Sequence, residues 1–236
     1  VPAIVDSIAM PEENQALLPC PGGINRLGEN VVVTLERWSR DFTMVGDGRF
    51  AVVSPRTNAI LSIVDLPGVS ACGRLAVSPD GRRAAMACSG RYDFNSKRFD
   101  TAHSDVVLLD ATTTPPAPLQ RFAAAARLDA GIQPMLAFAS DAMLMGVALD
   151  NATGQDRAFT LDVESGELGA LLAKNASFVL GGLRYAPGCN DICLLCDADT
   201  RVLHRWQFTG PRTFMPLDDA AVESVIGLPS RTMGGL

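Results

Sequence analysis

Leu75-Ala-Val-Ser-Pro-Asp-Gly-Arg-Arg-Ala-Ala-Met86 holds two apolar runs joined by a tight turn, and a third run, Ser104-Asp-Val-Val-Leu-Leu-Asp110, follows it. Pro79 presets φ ahead of the corner, and Asp80-Gly81 supplies the positive φ that a β-hairpin turn requires. A hairpin plus one further strand makes most of a four-stranded repeat of roughly 40–50 residues.

The same unit recurs along the chain. Hairpin-like stretches stand at Phe42–Val53, Leu136–Met145 and Leu183–Leu194, and strands with a polar outer side at Ala59–Asp65, Asp156–Asp162 and Arg201–Gln207. With Ser104–Asp110 these strands end at Asp65, Asp110, Asp162 and Gln207, spaced by 45, 52 and 45 residues. That period predicts an all-β protein, a β-propeller of about four to five blades, with a β-sandwich as the alternative. The expected organisation is an extended N-terminal arm over 1–23, rich in proline, followed by a single propeller-like domain over 24–236 with a C-terminal tail. Helix is expected only in short pieces near Leu119–Leu128 or Asp218–Ile226.

Composition narrows the function. The 236 residues carry 20 Lys and Arg against 26 Asp and Glu, a net charge of −6 that repels phosphate backbones and argues against nucleic acid as a partner. The most apolar stretch, Pro134–Leu149, is interrupted by Asp141 and falls short of the ~18 residues of a transmembrane segment. A mean hydropathy of +0.17 fits either a large core or a surface for a protein partner or for self-association. Six cysteines, together with a first residue that is Val1 rather than Met, point to a secreted or periplasmic chain from which a leader has been removed.

The cysteines suggest specific pairs. Cys72 and Cys88 stand eight residues on either side of Asp80, opposite one another if the hairpin centres there, which places them within reach of a disulfide. Cys189 and Cys193 flank the corresponding turn of the last hairpin. Elimination leaves Cys20 and Cys196, a bond that would stitch the arm to the final blade and close the ring. The competing reading is a metal site of Cys189, Cys193, Cys196 and His204.

No nucleophile elbow, zinc-protease helix, phosphate loop or dinucleotide fingerprint is present, so no catalytic residue and no cofactor are assigned. The most ligand-like feature is the insertion between Arg91 and Ser104. It gathers Arg91, Tyr92, Asp93, Phe94, Lys97, Arg98, Phe99, Asp100 and His103 in one loop, which a rigid scaffold could present to a ligand; an ordinary solvated crossover is the plainer alternative. Asn151-Ala-Thr153 and Asn175-Ala-Ser177 match the glycosylation triplet.

Two resemblances bear on these readings. Leu75–Arg82 followed by Ser104–Asp110 resembles the blade unit of YVTN-type and related bacterial β-propellers, which implies architecture alone. Gly181-Gly-Leu-Arg-Tyr-Ala-Pro187 followed by Cys193–Trp206 is similar to the gluconolactonase-like calcium propellers. That likeness implies a calcium ligand at Asp197, while Gly181 stands where the family has an asparagine. The expected function is an exported non-enzymatic propeller acting as a binding or assembly module. The alternatives are a calcium-dependent lactonase-like hydrolase and a structural subunit of an extracellular assembly.

Overall fold

A computed structural model describes residues 8–10, 16–186 and 192–221. Within them lie four antiparallel four-stranded sheets, one after another along the chain. Blade 1 holds β1 (Leu18–Leu27), β2 (Asn30–Trp38), β3 (Asp47–Ser54) and β4 (Ala59–Ser70). Blade 2 holds β5 (Cys72–Val77) and β6 (Arg83–Ser89), then an inserted ribbon of β7 (Tyr92–Asp93) and β8 (Arg98–Phe99), then β9 (Ser104–Asp110) and β10 (Ala117–Phe122). After the short helix α1 (Ala124–Leu128), blade 3 holds β11 (Ala130–Phe138), β12 (Met143–Asp150), β13 (Asp156–Asp162) and β14 (Leu168–Ala173). Blade 4 holds β15 (Leu180–Ala186), β16 (Ile192–Asp197), β17 (Val202–Phe208) and β18 (Phe214–Ala221).

The sheets stack face to face, and the two middle strands of each blade are buried on both sides, so they are nearly continuous apolar runs such as Met143–Leu149. Phe50, Val52, Leu75 and Met86 join blade 1 to blade 2. Val106, Leu108, Ile132 and Phe159 belong to the cluster joining blades 2 and 3, while Met145, Leu183, Leu195 and Trp206 lie in the one joining blades 3 and 4. Packing runs from blade 1 to 2, 2 to 3 and 3 to 4, and among the described residues nothing comparable joins blade 4 to blade 1. The inner strands converge closely. A Cβ on Gly23 would lie 2.7 Å from the Arg74 Cα, and one on Gly73 would lie 2.3 Å from the Pro134 Cβ, so only glycine lets these neighbours approach.

An aspartate marks the start of the third strand in three blades. Asp47 accepts the Gly68 amide at 3.2 Å, Asp105 accepts the Ala124 amide at 2.8 Å, and Asp156 accepts the Val179 and Leu180 amides at 2.7 and 2.9 Å. The last two tie each blade to the chain that begins the next inner strand. Blade 4 differs: β17 begins Val202-Leu-His204 and carries no aspartate at its start.

Blade 1 corrects the sequence alignment. The hairpins Leu75–Met86 and Leu136–Met145 are β5–β6 and β11–β12, with Gly81 at φ +71° in the turn as expected. Phe42–Val53, by contrast, is a loop leading into the single strand β3, and Ala59–Asp65 lies on the outer strand β4 rather than on a third strand. The true first hairpin is β1–β2. It is hard to read because β1 contains Pro19 and Pro21; an inner strand is an edge strand, where a missing N–H is tolerated. The boundary at residue 23 therefore falls inside β1. Ahead of it, Ile8 and Met10 pack on Val33, Leu35, Ala51 and Val53 at the free face of blade 1.

Among the described residues helix is confined to Ala124–Leu128, with Leu119 in β10; Asp218–Ala221 belongs to β18 and the remainder of that expected helix lies outside the described residues. Cys72 and Cys88 face each other in β5 and β6 and are joined by a disulfide. Cys20, Cys193 and Cys196 carry free thiols among the described residues, so Cys20 and Cys196 are not joined, and the expected Cys189–Cys193 pair falls partly outside the described residues. Cys189 itself lies outside the described residues. The reason is placement: Cys20 and Cys196 sit on opposite end blades. Cys193 and Cys196 are three residues apart on one strand and so point to opposite faces, Cys193 into the cluster between blades 3 and 4 and Cys196 toward Leu203. Burial pushes the Cys193 thiol up to about 12, and the same geometry dissolves the proposed metal knuckle.

At its far end β13 makes a second tie to blade 4. Asp162 accepts the Arg212 guanidinium and the amides of Glu164 and Ser165. Burial acts to raise its pKa, but these donors outweigh it and hold the carboxyl at about 2. A depressed pKa gives stability that is present above the unfolded value of ~3.9 and lost as pH falls through the folded one. Urea midpoints of the wild type and of Arg212→Gln should therefore converge between about pH 4 and pH 2. A constant gap across that range would show that the pair contributes nothing through protonation.

Candidate functional site

The insertion between β6 and β9 folds as a two-stranded ribbon whose turn is set locally. Asp93 accepts the Asn95 amide at 2.9 Å and the Ser96 hydroxyl at 2.8 Å, which holds its carboxyl below the usual range, and Lys97 takes φ +56°. At the base, the Asp100 amide donates to the Arg91 carbonyl at 2.9 Å, while Asp100 meets His103 Nδ1 at 2.6 Å.

The ribbon leaves its own blade in both directions. Arg91 donates to the Thr43 carbonyl of blade 1 at 3.0 Å. Toward blade 3, Arg98 pairs with Asp129 at 3.4 Å, and the Asn151 carboxamide accepts the Phe99 amide at 2.8 Å and donates to its carbonyl at 3.2 Å. The Phe99 ring fits against Gly131, where an added Cβ would lie 2.0 Å from it. Asn151 is only 8% exposed and bonded to the Phe99 backbone through both ends of its carboxamide, which removes the first glycosylation triplet from consideration.

Anchored in this way, the ribbon presents an aromatic shelf. Tyr92 is its centre, with ring centroids 5.1 Å from Phe94, 4.9 Å from Phe99 and 5.9 Å from Phe178. Phe94 is 80% and Phe178 57% exposed, and the contacts of both with Tyr92 are edge-on, a favoured aromatic geometry. Phe178 comes from the link between blades 3 and 4 and holds φ +56°, a left-handed backbone that costs a bulky residue roughly 1–2 kcal/mol. It was not foreseen from the sequence, because an isolated Phe in Lys-Asn-Ala-Ser-Phe carries no periodic signal. Of the loop residues singled out, Tyr92, Phe94 and Phe99 come together in the shelf, and Arg98 and Lys97 flank it in the ribbon. Arg91, Asp100 and His103 instead line a shallow cleft of about 370 Å³ against Thr43–Asp47.

Asp197, matched above to a calcium ligand, is fully buried and committed. It accepts Lys174 Nζ at 2.5 Å, the Thr200 hydroxyl at 2.6 Å and the amides of Asp199 and Thr200, with His204 Nε2 at 3.4 Å. Burial opposes its charge, yet these partners lower its pKa well below the carboxylate range. His204 bridges onward to Asp219 at 2.9 Å. The cluster is a buried ion network at the end of β16, and its lysine occupies the oxygen a cation would need.

No family model matches the sequence, and no curated protein matches it. Its likeness is to solved structures. The WD40 domain of Toxoplasma gondii coronin matches over 93% of this chain and 47% of its own, at 10% identity and a TM-score of 0.55. An auxiliary nutrient binding protein from Bacteroides thetaiotaomicron matches over 86% of this chain and 42% of its own, at 10% identity and a TM-score of 0.52. A Bacteroides uniformis protein provisionally described as a 6-phosphogluconolactonase matches over 86% and 71%, at 12% identity and a TM-score of 0.51. The chain thus spans less than half the length of the first two. At these identities the likeness shows the fold alone, an array of β-propeller blades.

Proposed function

We propose that the chain is an exported, non-enzymatic binding module and that its partner is a protein docking on the Tyr92–Phe94–Phe178 shelf. The observation that carries this reading is Phe178, an exposed aromatic held in a left-handed backbone against the half-buried Tyr92 ring, which the exposed Phe94 also packs against. Strain and exposure both oppose folding, and local strain of this kind gathers at binding sites. Rigid aromatics beside arginine match the composition of interface hot spots. The Cys72–Cys88 disulfide supports an oxidising compartment, and no helix among the described residues is long and apolar enough to cross a membrane.

The test is a photo-crosslinking residue placed at Phe94 in the native host, with the same residue at the exposed Leu61 of blade 1 as the control. A discrete protein adduct at Phe94, lost on Phe178→Ala and not formed at Leu61, supports the shelf. Equal adducts at both positions, or none at Phe94, overturn it.

A further inference from the structure

The four inner strands converge on a cleft of about 450 Å³ that differs in kind from the aromatic shelf. Arg74 reaches it from β5, Arg184 from β15 and Asn25 from β1. Most of the remaining wall is apolar, with Leu75, Leu136, Phe138 and Leu183, while Ser78 and Tyr185 add hydroxyl groups, and no carboxylate lines the cleft among the described residues. This occurs in a chain whose net charge is −6.

The two arginines are unpaired. Arg74 has no ion pair and no side-chain hydrogen bond among the described residues, and the one bond of Arg184 goes to its own neighbour, the Leu183 carbonyl, at 2.7 Å. Burial, and then the charge of Arg74, hold the Arg184 guanidinium below its ordinary value, so the two cations stand close enough to repel. Asn25 uses its carboxamide oxygen to accept the Leu75 amide at 3.2 Å, leaving its NH2 group without a partner among the described residues. Three side-chain donor groups and no carboxylate therefore face one concave, partly apolar space, where low-dielectric walls concentrate the positive field.

The geometry points to an oxyanion-binding site in this cleft, in which Arg74 and Arg184 grip one carboxylate or phosphate group and Asn25 donates to it. A guanidinium fork matches either group in two-point fashion, and one anion between two forks removes their mutual repulsion. The apolar wall favours an anion that carries a hydrophobic body.

Titration calorimetry on the whole chain, at fixed ionic strength in sodium chloride, uses inorganic phosphate and benzoate as the two probes. Saturable one-to-one binding of either supports the site, and the preferred probe tells phosphate from carboxylate as the group recognised. Arg74→Gln and Arg184→Gln should each weaken that binding at least tenfold, whereas Arg56→Gln, a surface arginine paired with Glu29 outside the cleft, should leave it unchanged. Each variant should melt at or above the wild-type temperature without anion, because a repelling charge has been removed. Absence of saturable binding of both probes, an unchanged affinity in either cleft variant, or an equal loss in Arg56→Gln overturns the proposal.

Discussion

Asp156→Ala is expected to lower the unfolding free energy by about 3 kcal/mol or more. Asp156 is fully buried, and its carboxylate accepts Gln133 Nε2 at 2.7 Å besides the amides of Val179 and Leu180. Alanine would strand three donors, two of them buried, at the point where blade 3 hands the chain to blade 4. Asparagine keeps one acceptor oxygen and should restore part of the loss. Urea unfolding monitored through Trp206, in the cluster between those blades, reads both variants. A cost for alanine below about 1 kcal/mol, the range of an ordinary exposed site, would show that the donors find other partners.

Opening the Cys72–Cys88 bond should cost about 3 kcal/mol, the chain-entropy value for a loop near its 16-residue separation. Both sulfurs lie in the cluster between blades 1 and 2, and a Cβ on Gly48 would come within 2.5 Å of the Cys72 Sγ, so the neighbouring strand is shaped around the bond. Cys72→Ala with Cys88→Ala should unfold at lower urea than the parent, and reductant should shift the parent by a similar amount while leaving the double variant unmoved. Equal midpoints for parent and double variant would mean that the bond decorates a hairpin already held by packing. Because Asp156 and the disulfide sit at different blade joints, the two losses should add.

The sequence revealed what is local and hid what is assembled. Ser78-Pro79-Asp80-Gly81 is a complete turn instruction, so the second hairpin and its disulfide could be read without tertiary information. Blade 1 was misaligned because Pro19 and Pro21 look like a loose arm until β1 is known to be an edge. Leu61 and Ile63, 50% and 36% exposed on the outer strand β4, imitate a buried third strand because alternation alone does not state which face meets a neighbour. The six cysteines looked like three pairs, yet strand parity sends Cys193 and Cys196 to opposite faces. The shelf was half legible: the loop announced Tyr92, Phe94 and Phe99, but Phe178 joins them from a distant link. Arg74 and Arg184 lie on different blades, and only the convergence of the inner strands makes them neighbours.

The blade-to-blade packing also governs how the molecule comes apart. In a closed ring every blade has two neighbours, and loss of one opens the whole circle. Here blades 2 and 3 are clasped on both sides, whereas the described packing clasps blades 1 and 4 on one side only. Where blades touch only their neighbours, stability follows nearest-neighbour statistics, and a blade clasped on one side opens more readily than one clasped on both. Blade 4 can loosen while β5, β6, β9, β11 and β12 remain folded, so a protease or a pulling force would meet graded resistance along the chain rather than a single threshold.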